Sequence, residues 1–198
     1  MNRIGVAVIG AGMVGRAHAA GYRSATTVFG PGLPPIDLVT ISDLNEDFAK
    51  DAARRYGFEK AEKDWKQILD DDRVHVVSVA VANSLHRELT EALIAAGKHV
   101  ICEKPLAPST DDARAMVDAA NKAKGIQTGT GFTFRRSPAI NAIKREFENG
   151  NLGKPYFFNG HYWCDYSAEA NRPMSWRYKG KPGSGALADI GSHVVDLS

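Results

Sequence analysis

The sequence predicts an α/β chain built on a doubly wound parallel sheet, and three observations predict it. Apolar strand-like runs alternate with helical patterns, which calls for parallel strands joined by crossover helices. The strand runs are nearly unbroken stretches of Val, Ile and Ala, as in a sheet covered on both faces. A turn of the form G-x-G-x-x-G, Gly10-Ala11-Gly12-Met13-Val14-Gly15, leaves the first strand and opens the first helix.

The first strand is expected over Ile4–Ile9 and the first helix over 14–24. A Pro-Gly segment at 30–35 reads as an exposed loop before a second strand, Ile36–Ser42, and a second helix, Glu46–Tyr56. A third strand over 74–81 leads into a helix over 85–96. Strands His99–Cys102 and 126–130 flank a helix over 110–124, whose Ser109-Thr110-Asp111 start supplies capping side chains. The first domain is expected to cover 1–131. Beyond it the pattern predicts a helix over 138–149, a strand over 156–166, a loop over 172–185 and a helix from Ala186.

Composition narrows the function. The 198 residues carry 25 Lys and Arg against 23 Asp and Glu, a net charge of +2, without a basic block or aromatic-basic stripe, so nucleic acid is not an expected partner. The N-terminus runs straight into a short apolar strand, too short for a signal-peptide core or a membrane span, and Cys102 and Cys164 are too few for a disulfide framework. The expectation is a cytoplasmic protein with no membrane partner.

In a doubly wound sheet ligands lie at the carboxyl ends of the strands, where the strand order reverses. Gly10, Asn83 and Lys104 all fall on that edge. Gly10 permits the tight turn, Gly12 lets the backbone approach a pyrophosphate, and Gly15 lets the helix pack closely on its strand. Asp43 ends the second strand, where a carboxylate accepts hydrogen bonds from ribose hydroxyls and repels a 2′-phosphate. Its distance from Gly15 exceeds the roughly 20-residue interval usual for this role, and the 30–35 loop accounts for the excess. NAD is therefore favoured over NADP, although Arg16 on the helix after the glycines lies within reach of a phosphate. Helix capping is the competing role for Asp43. The run Glu103-Lys104-Pro105 closes a later strand and brings a lysine to the same edge.

At this point the sequence resembles the glucose-fructose oxidoreductase, inositol dehydrogenase and MocA family. The resemblance runs through the glycine turn, Asp43, Val81-Ala82-Asn83-Ser84-Leu85-His86, Glu103-Lys104-Pro105, Gly131-Phe132-Thr133-Phe134-Arg135-Arg136-Ser137-Pro138 and Gly185-Ala186-Leu187-Ala188-Asp189-Ile190-Gly191-Ser192-His193. It implies a second, α+β domain with an open, mostly antiparallel sheet that often mediates oligomerisation. Residues 132–198 would be only its first part, since too few residues follow Phe132 for the whole. A homo-oligomer through that sheet is expected of the full-length protein.

The resemblance also implies a hydride transfer between NAD and a secondary alcohol or ketone of a sugar, inositol or related polyol. Such a reaction needs a proton acceptor and a group that stabilises the oxygen as it becomes a carbonyl. Asp189 and His193, four residues apart, would share one helix face, the carboxylate orienting the imidazole as base. Lys104 would either relay a proton or clamp the substrate oxygen, with Pro105 forming a rigid, often cis, turn that aims it. Asp196 is a further candidate for the Asp189 face. Gly10, Ala11, Gly12, Met13, Val14, Gly15, Asp43, Asn83, His86, Glu103 and Lys104 are the expected cofactor contacts.

Each has a structural alternative: a strand-end lysine for Lys104, a solvated helix pair for Asp189 and His193, a helix cap for Asn83, packing for His86. Arg135 and Arg136 are expected to pair with acidic neighbours rather than steer a phosphate. Tyr162, Trp163, Trp176 and Tyr178 suit a core or subunit interface better than a sugar platform. His161 and Cys164, three apart on an expected strand, face opposite sides, so no metal is expected. Two competing functions remain: a glycoside hydrolase that oxidises its sugar only transiently through bound NAD, and a non-catalytic dinucleotide sensor.

Overall fold

The computed structural model describes every residue except Met1, Asn2, Ser167, Arg172, Ser175, Trp176, Arg177 and Lys181, and the side chain of Pro31. The expected platform residue Trp176 and the start of the 172–185 loop thus lie outside the described residues. The chain divides into two compact units, Met1–Thr130 and Gly131–Ser198.

The first unit contains strands β1 (Ile4–Ile9), β2 (Ile36–Ser42), β3 (Lys60–Glu62), β4 (Val76–Val79), β5 (His99–Cys102) and β6 (Thr128–Thr130). All pair in parallel, in the order β3-β2-β1-β4-β5-β6. The order reverses between β1 and β4, so the turns after these two strands open side by side. Helices α1 (Met13–Val28), α2 (Glu46–Tyr56), α3 (His86–Ala95) and α4 (Thr110–Lys122) supply the crossovers.

Burial on both faces explains the apolar runs. Along β1, Ala7 and Ile9 enter one core with Leu89, Leu93 and Met116 from α3 and α4, while Val8 enters a second with Ala19 from α1 and Ala52 and Ala53 from α2. Each fully buried Val, Ile, Leu or Met side chain among them contributes about 1.5–3 kcal/mol, and each alanine less. Small residues on α1 and α2 let those helices lie close to the sheet.

Several boundaries differ from the sequence reading for local reasons. α1 runs to Val28 and ends where Phe29 N–H bonds Ala25 O at 2.9 Å, just ahead of a short 3-10 turn, Gly30–Gly32. β3 was not expected, being three residues with two charges at the sheet edge; it exists because Thr40, Ile41 and Ser42 offer it a ladder. A 3-10 turn, Asn83–Leu85, precedes α3, so Asn83 is not that helix's cap.

The second unit holds a 3-10 turn (Thr133–Arg136), α5 (Pro138–Glu148), a π-helical turn (Leu187–Gly191) and α6 (Ser192–Leu197). The expected strand over 156–166 is a correction: among the described residues no strand follows Thr130. A strand needs a ladder partner to satisfy its backbone, and no described segment of this unit provides one. Tyr156, Phe157 and Trp163 stand 92%, 84% and 87% exposed, so this segment has the composition of a sheet and lacks the packing of one. Among the described residues no helix is long and apolar enough to cross a membrane.

Candidate functional site

The site of the first unit is built where ladders continue past the strand ends. Gly10 N–H donates to Ser42 O (2.7 Å), Ala80 N–H to Ile9 O (2.8 Å) and Glu103 N–H to Val79 O (2.9 Å). These bonds lock the turns after β1, β2, β4 and β5 into one row.

The three glycines are required for different reasons. Gly10 has φ +100°, and a Cβ there would sit 2.2 Å from Ala80 O; at Gly15 it would sit 1.7 Å from Gly10 O. At Gly12 a Cβ would meet nothing within 4 Å. The first and third glycines are thus demanded by the protein itself, whereas the second borders open space. Gly12 is also the N-cap of α1, with no side-chain cap and no acidic residue in the first turn. α2 and α4, by contrast, are capped by Asn45 and Ser109 and carry acidic first turns. The positive end of α1 is left for an anion from outside the protein. Ala11 is fully buried and Met13 80% exposed, so at these positions the backbone and not the side chain defines the cradle.

Asp43 shapes this turn. Its Oδ2 accepts the Ala11 N–H at 2.7 Å and its Oδ1 the Asn45 N–H at 2.8 Å. A carboxylate has lone pairs beyond those two bonds, so the ribose role remains open to it. Arg16 is committed elsewhere, with Nε on Ala11 O (2.9 Å) and a terminal nitrogen on Asp51 (2.8 Å), away from the phosphate role considered for it.

Lys104 is half-buried and enters a cis peptide bond with Pro105. Glu103 beside it accepts the Lys104 N–H through Oε2 (3.1 Å) and meets His18 Nε2 through Oε1 (3.0 Å). Burial works against the Glu103 charge, but the His18 and Lys104 hydrogen bonds and nearby positive charge outweigh it and hold the carboxyl below its usual range. His86 is buried, with Nδ1 on Pro105 O (3.0 Å) and Nε2 on Val81 O (3.2 Å). Its ring sits between the turn after β4 and the lysine turn; burial, acting against these carbonyls, lowers its pKa, and the neutral ring, with a single N–H, donates to one of them at a time. Asn83 is buried on the first of these turns.

His18 was missed by the sequence reading. It carried a usable signal, since Gly15, His18, Ala19 and Tyr22 fall at i, i+3, i+4 and i+7 and share the helix face turned to the sheet.

Within the second unit, His193 is buried among aromatic rings. Phe134 and Phe132 meet it edge-on at 5.1 and 5.9 Å, and Tyr162 stacks at 6.3 Å. Asp189 accepts a 2.7 Å hydrogen bond from Tyr166 Oη, whose phenol is pushed up by burial and by that carboxylate. Asp189 lies in the π-helical turn and His193 at the start of α6. Asp196, its side chain nearly buried, is gripped at both carboxylate oxygens by Arg135, which supports the acidic pairing expected of Arg135. Tyr162 thus belongs beside His193, while Trp163 stacks on His161 at 5.9 Å in an exposed position. Among the described residues no three His, Cys, Asp or Glu side chains group as a metal site.

Comparison with known proteins agrees with this architecture. Residues 4–131 match the family model described as "Oxidoreductase family, NAD-binding Rossmann fold", and residues 140–198 match the GFO/IDH/MocA C-terminal domain. The chain is 42% identical over its whole length to a levoglucosan dehydrogenase of Pseudarthrobacter phenanthrenivorans, covering 51% of that protein. It is 34% identical over 76% of its length to a myo-inositol 2-dehydrogenase of Thermotoga maritima, covering 42% of it. A solved levoglucosan dehydrogenase in complex with NADH and levoglucosan superposes with a TM-score of 0.93 at 41% identity, over 99% of this chain and 53% of that one. The chain spans about half the length of the curated relatives it matches. The strand order and the glycine turn, read together with these matches, identify the chain as a member of the glucose-fructose oxidoreductase, inositol dehydrogenase and MocA family.

Proposed function

We propose that this chain is the cofactor-binding half of an NAD-dependent oxidoreductase that moves a hydride between nicotinamide and a secondary alcohol or ketone of a sugar, inositol or related polyol. The observation that carries the reading is the row of turns at the reversal of strand order. An α1 N-terminus with open space at Gly12 stands in the same row as the Lys104 turn. The names of the relatives, levoglucosan and myo-inositol dehydrogenases, support the substrate class.

The residues present fit a dinucleotide. Backbone N–H groups around Gly12, Met13 and Val14 would hold the pyrophosphate, Asp43 the adenosine ribose, and Asn83 and the Glu103-Lys104 turn the nicotinamide half, with His86 bracing those turns from beneath. NAD supplies a hydride acceptor when bound. NADP suits the site less, because Asp43 would repel a 2′-phosphate and Arg16 is tied to Asp51.

In this reading Lys104 places positive charge at the substrate oxygen, His193 takes the hydroxyl proton and Asp189 favours its charged form. The aromatic wall around His193 excludes water, which strengthens those interactions. Residues 1–131 form the dinucleotide domain and 132–198 the first part of the substrate domain. That domain carries an open, mostly antiparallel sheet in the full-length protein, and the exposed aromatic side chains of Tyr156, Phe157 and Trp163 suit a homo-oligomer interface there. A cytoplasmic setting accords with two free thiols, Cys102 and Cys164.

The test follows reduced-nicotinamide absorbance with NAD and a panel containing levoglucosan and myo-inositol. NADH accumulates with at least one polyol, and Lys104→Met lowers kcat by roughly 100-fold or more. Failure of every polyol to yield NADH overturns the reading, and would favour transient oxidation or a sensor.

A further inference from the structure

We propose that His18 is a positioning residue for the turn that carries Lys104, acting through Glu103 as part of a hydrogen-bonded chain that begins at Tyr22 and Ser78. The proposal rests on the role given above to Lys104.

Four side chains from three elements make the chain. Tyr22 Oη lies 2.8 Å from Ser78 Oγ, Ser78 Oγ lies 2.9 Å from His18 Nδ1, and His18 Nε2 lies 3.0 Å from Glu103 Oε1. Tyr22 and His18 stand on α1, Ser78 on β4 and Glu103 just past β5. Ser78 is fully buried, and the side chains of His18 and Glu103 are only 18% and 12% exposed. Water competes poorly for any link.

The donors can be ordered from one end. An ionised Glu103 only accepts, so His18 Nε2–H donates to it, and in that tautomer Nδ1 is the acceptor. Ser78 O–H then donates to Nδ1, and Tyr22 O–H donates to Ser78. Every link is satisfied by a single proton, with all donors pointing toward Glu103. The second Glu103 oxygen accepts the Lys104 N–H at 3.1 Å, so the orientation of the carboxylate fixes the first backbone bond of the lysine turn. Because α1 begins at the glycine turn and carries His18, one helix links the cofactor cradle to the lysine turn. Lys104, His18, Cys102 and His86 are the titratable groups whose interaction with the Glu103 charge accompanies this arrangement.

The experiment compares the wild-type chain with His18→Leu, which removes the chain, and His18→Gln, whose amide N–H still reaches toward Glu103. The first readout is NMR: the Lys104 backbone amide signal and the pH midpoint of the Glu103 carboxyl carbon, with unfolding curves confirming that each variant is folded. His18→Leu should displace the Lys104 amide signal and raise the Glu103 midpoint, and His18→Gln should restore most of both. The second readout is NADH affinity beside polyol turnover. His18→Leu should keep NADH affinity within about threefold while kcat falls roughly 10–100-fold and the acid limb of its pH profile moves up. An unmoved Lys104 amide and Glu103 midpoint in His18→Leu, or equal disturbance in His18→Leu and His18→Gln, overturns the proposal. A wild type that neither binds NADH nor oxidises a polyol would overturn the functional reading instead, and the NMR arm would still decide the role of His18.

Discussion

Asp43 Oδ2 accepts the Ala11 N–H at 2.7 Å, so the carboxylate that ends β2 also holds the glycine turn after β1 in shape. Asp43→Ala removes this bond together with the one from Asn45. Loss of the two should cost about 1–3 kcal/mol of stability and weaken NADH binding by more than the loss of a ribose contact alone. Asp43→Asn keeps an acceptor and should fall between. Urea unfolding and NADH titration on the same samples separate the two effects.

The three glycines should behave differently under the same substitution. Gly10→Ala and Gly15→Ala drive a Cβ into backbone carbonyls at 2.2 and 1.7 Å and should destabilise the first unit by about 3 kcal/mol or more. Gly12→Ala meets open space and should change stability by no more than about 1 kcal/mol, yet weaken NADH binding. Melting curves beside binding curves check the contrast.

Glu103 supplies a pH dependence whose sign is fixed by its lowered pKa. A carboxyl held below its ordinary value contributes stability that is present above that value and lost as pH falls through the folded one. The wild type should therefore lose stability below about pH 4, and Glu103→Gln should flatten that slope while lowering stability at neutral pH. Chemical unfolding across a pH series measures it.

The two cysteines should differ in reactivity. Cys102 is 2% exposed and burial pushes its thiol up to about 12, whereas Cys164 is exposed. At neutral pH a thiol reagent should label Cys164 promptly, and Cys102 only after unfolding. Prompt labelling of Cys102 would mean that the packing between β5 and α3 opens readily.

Much of the first unit was legible because its signals are local. Continuous apolar runs marked β1, β2 and β4, Ser109 marked the start of α4, and the glycine spacing marked the turn. β3 escaped because Lys60-Ala61-Glu62 is short and charged, and pairing with β2 alone makes it a strand. The His18 chain escaped because its partners come from β4 and from beyond β5, although the helical spacing of His18 and Tyr22 pointed to it. In the second unit, alternating aromatic residues over 156–166 read as a strand, but side-chain pattern does not supply a ladder partner. The π-helical turn over Leu187–Gly191 also escaped, because the Leu-Ala-Asp-Ile run reads equally well as a regular helix.

Calorimetric titration of the 198-residue chain with NADH, in wild type and in Gly12→Val, tests cofactor binding at the glycine turn. One NADH should bind per chain, and that binding should be lost in a Gly12→Val protein whose melting temperature stays near that of the wild type. Absence of NADH binding by the folded wild type, or equal binding by both proteins, would contradict it.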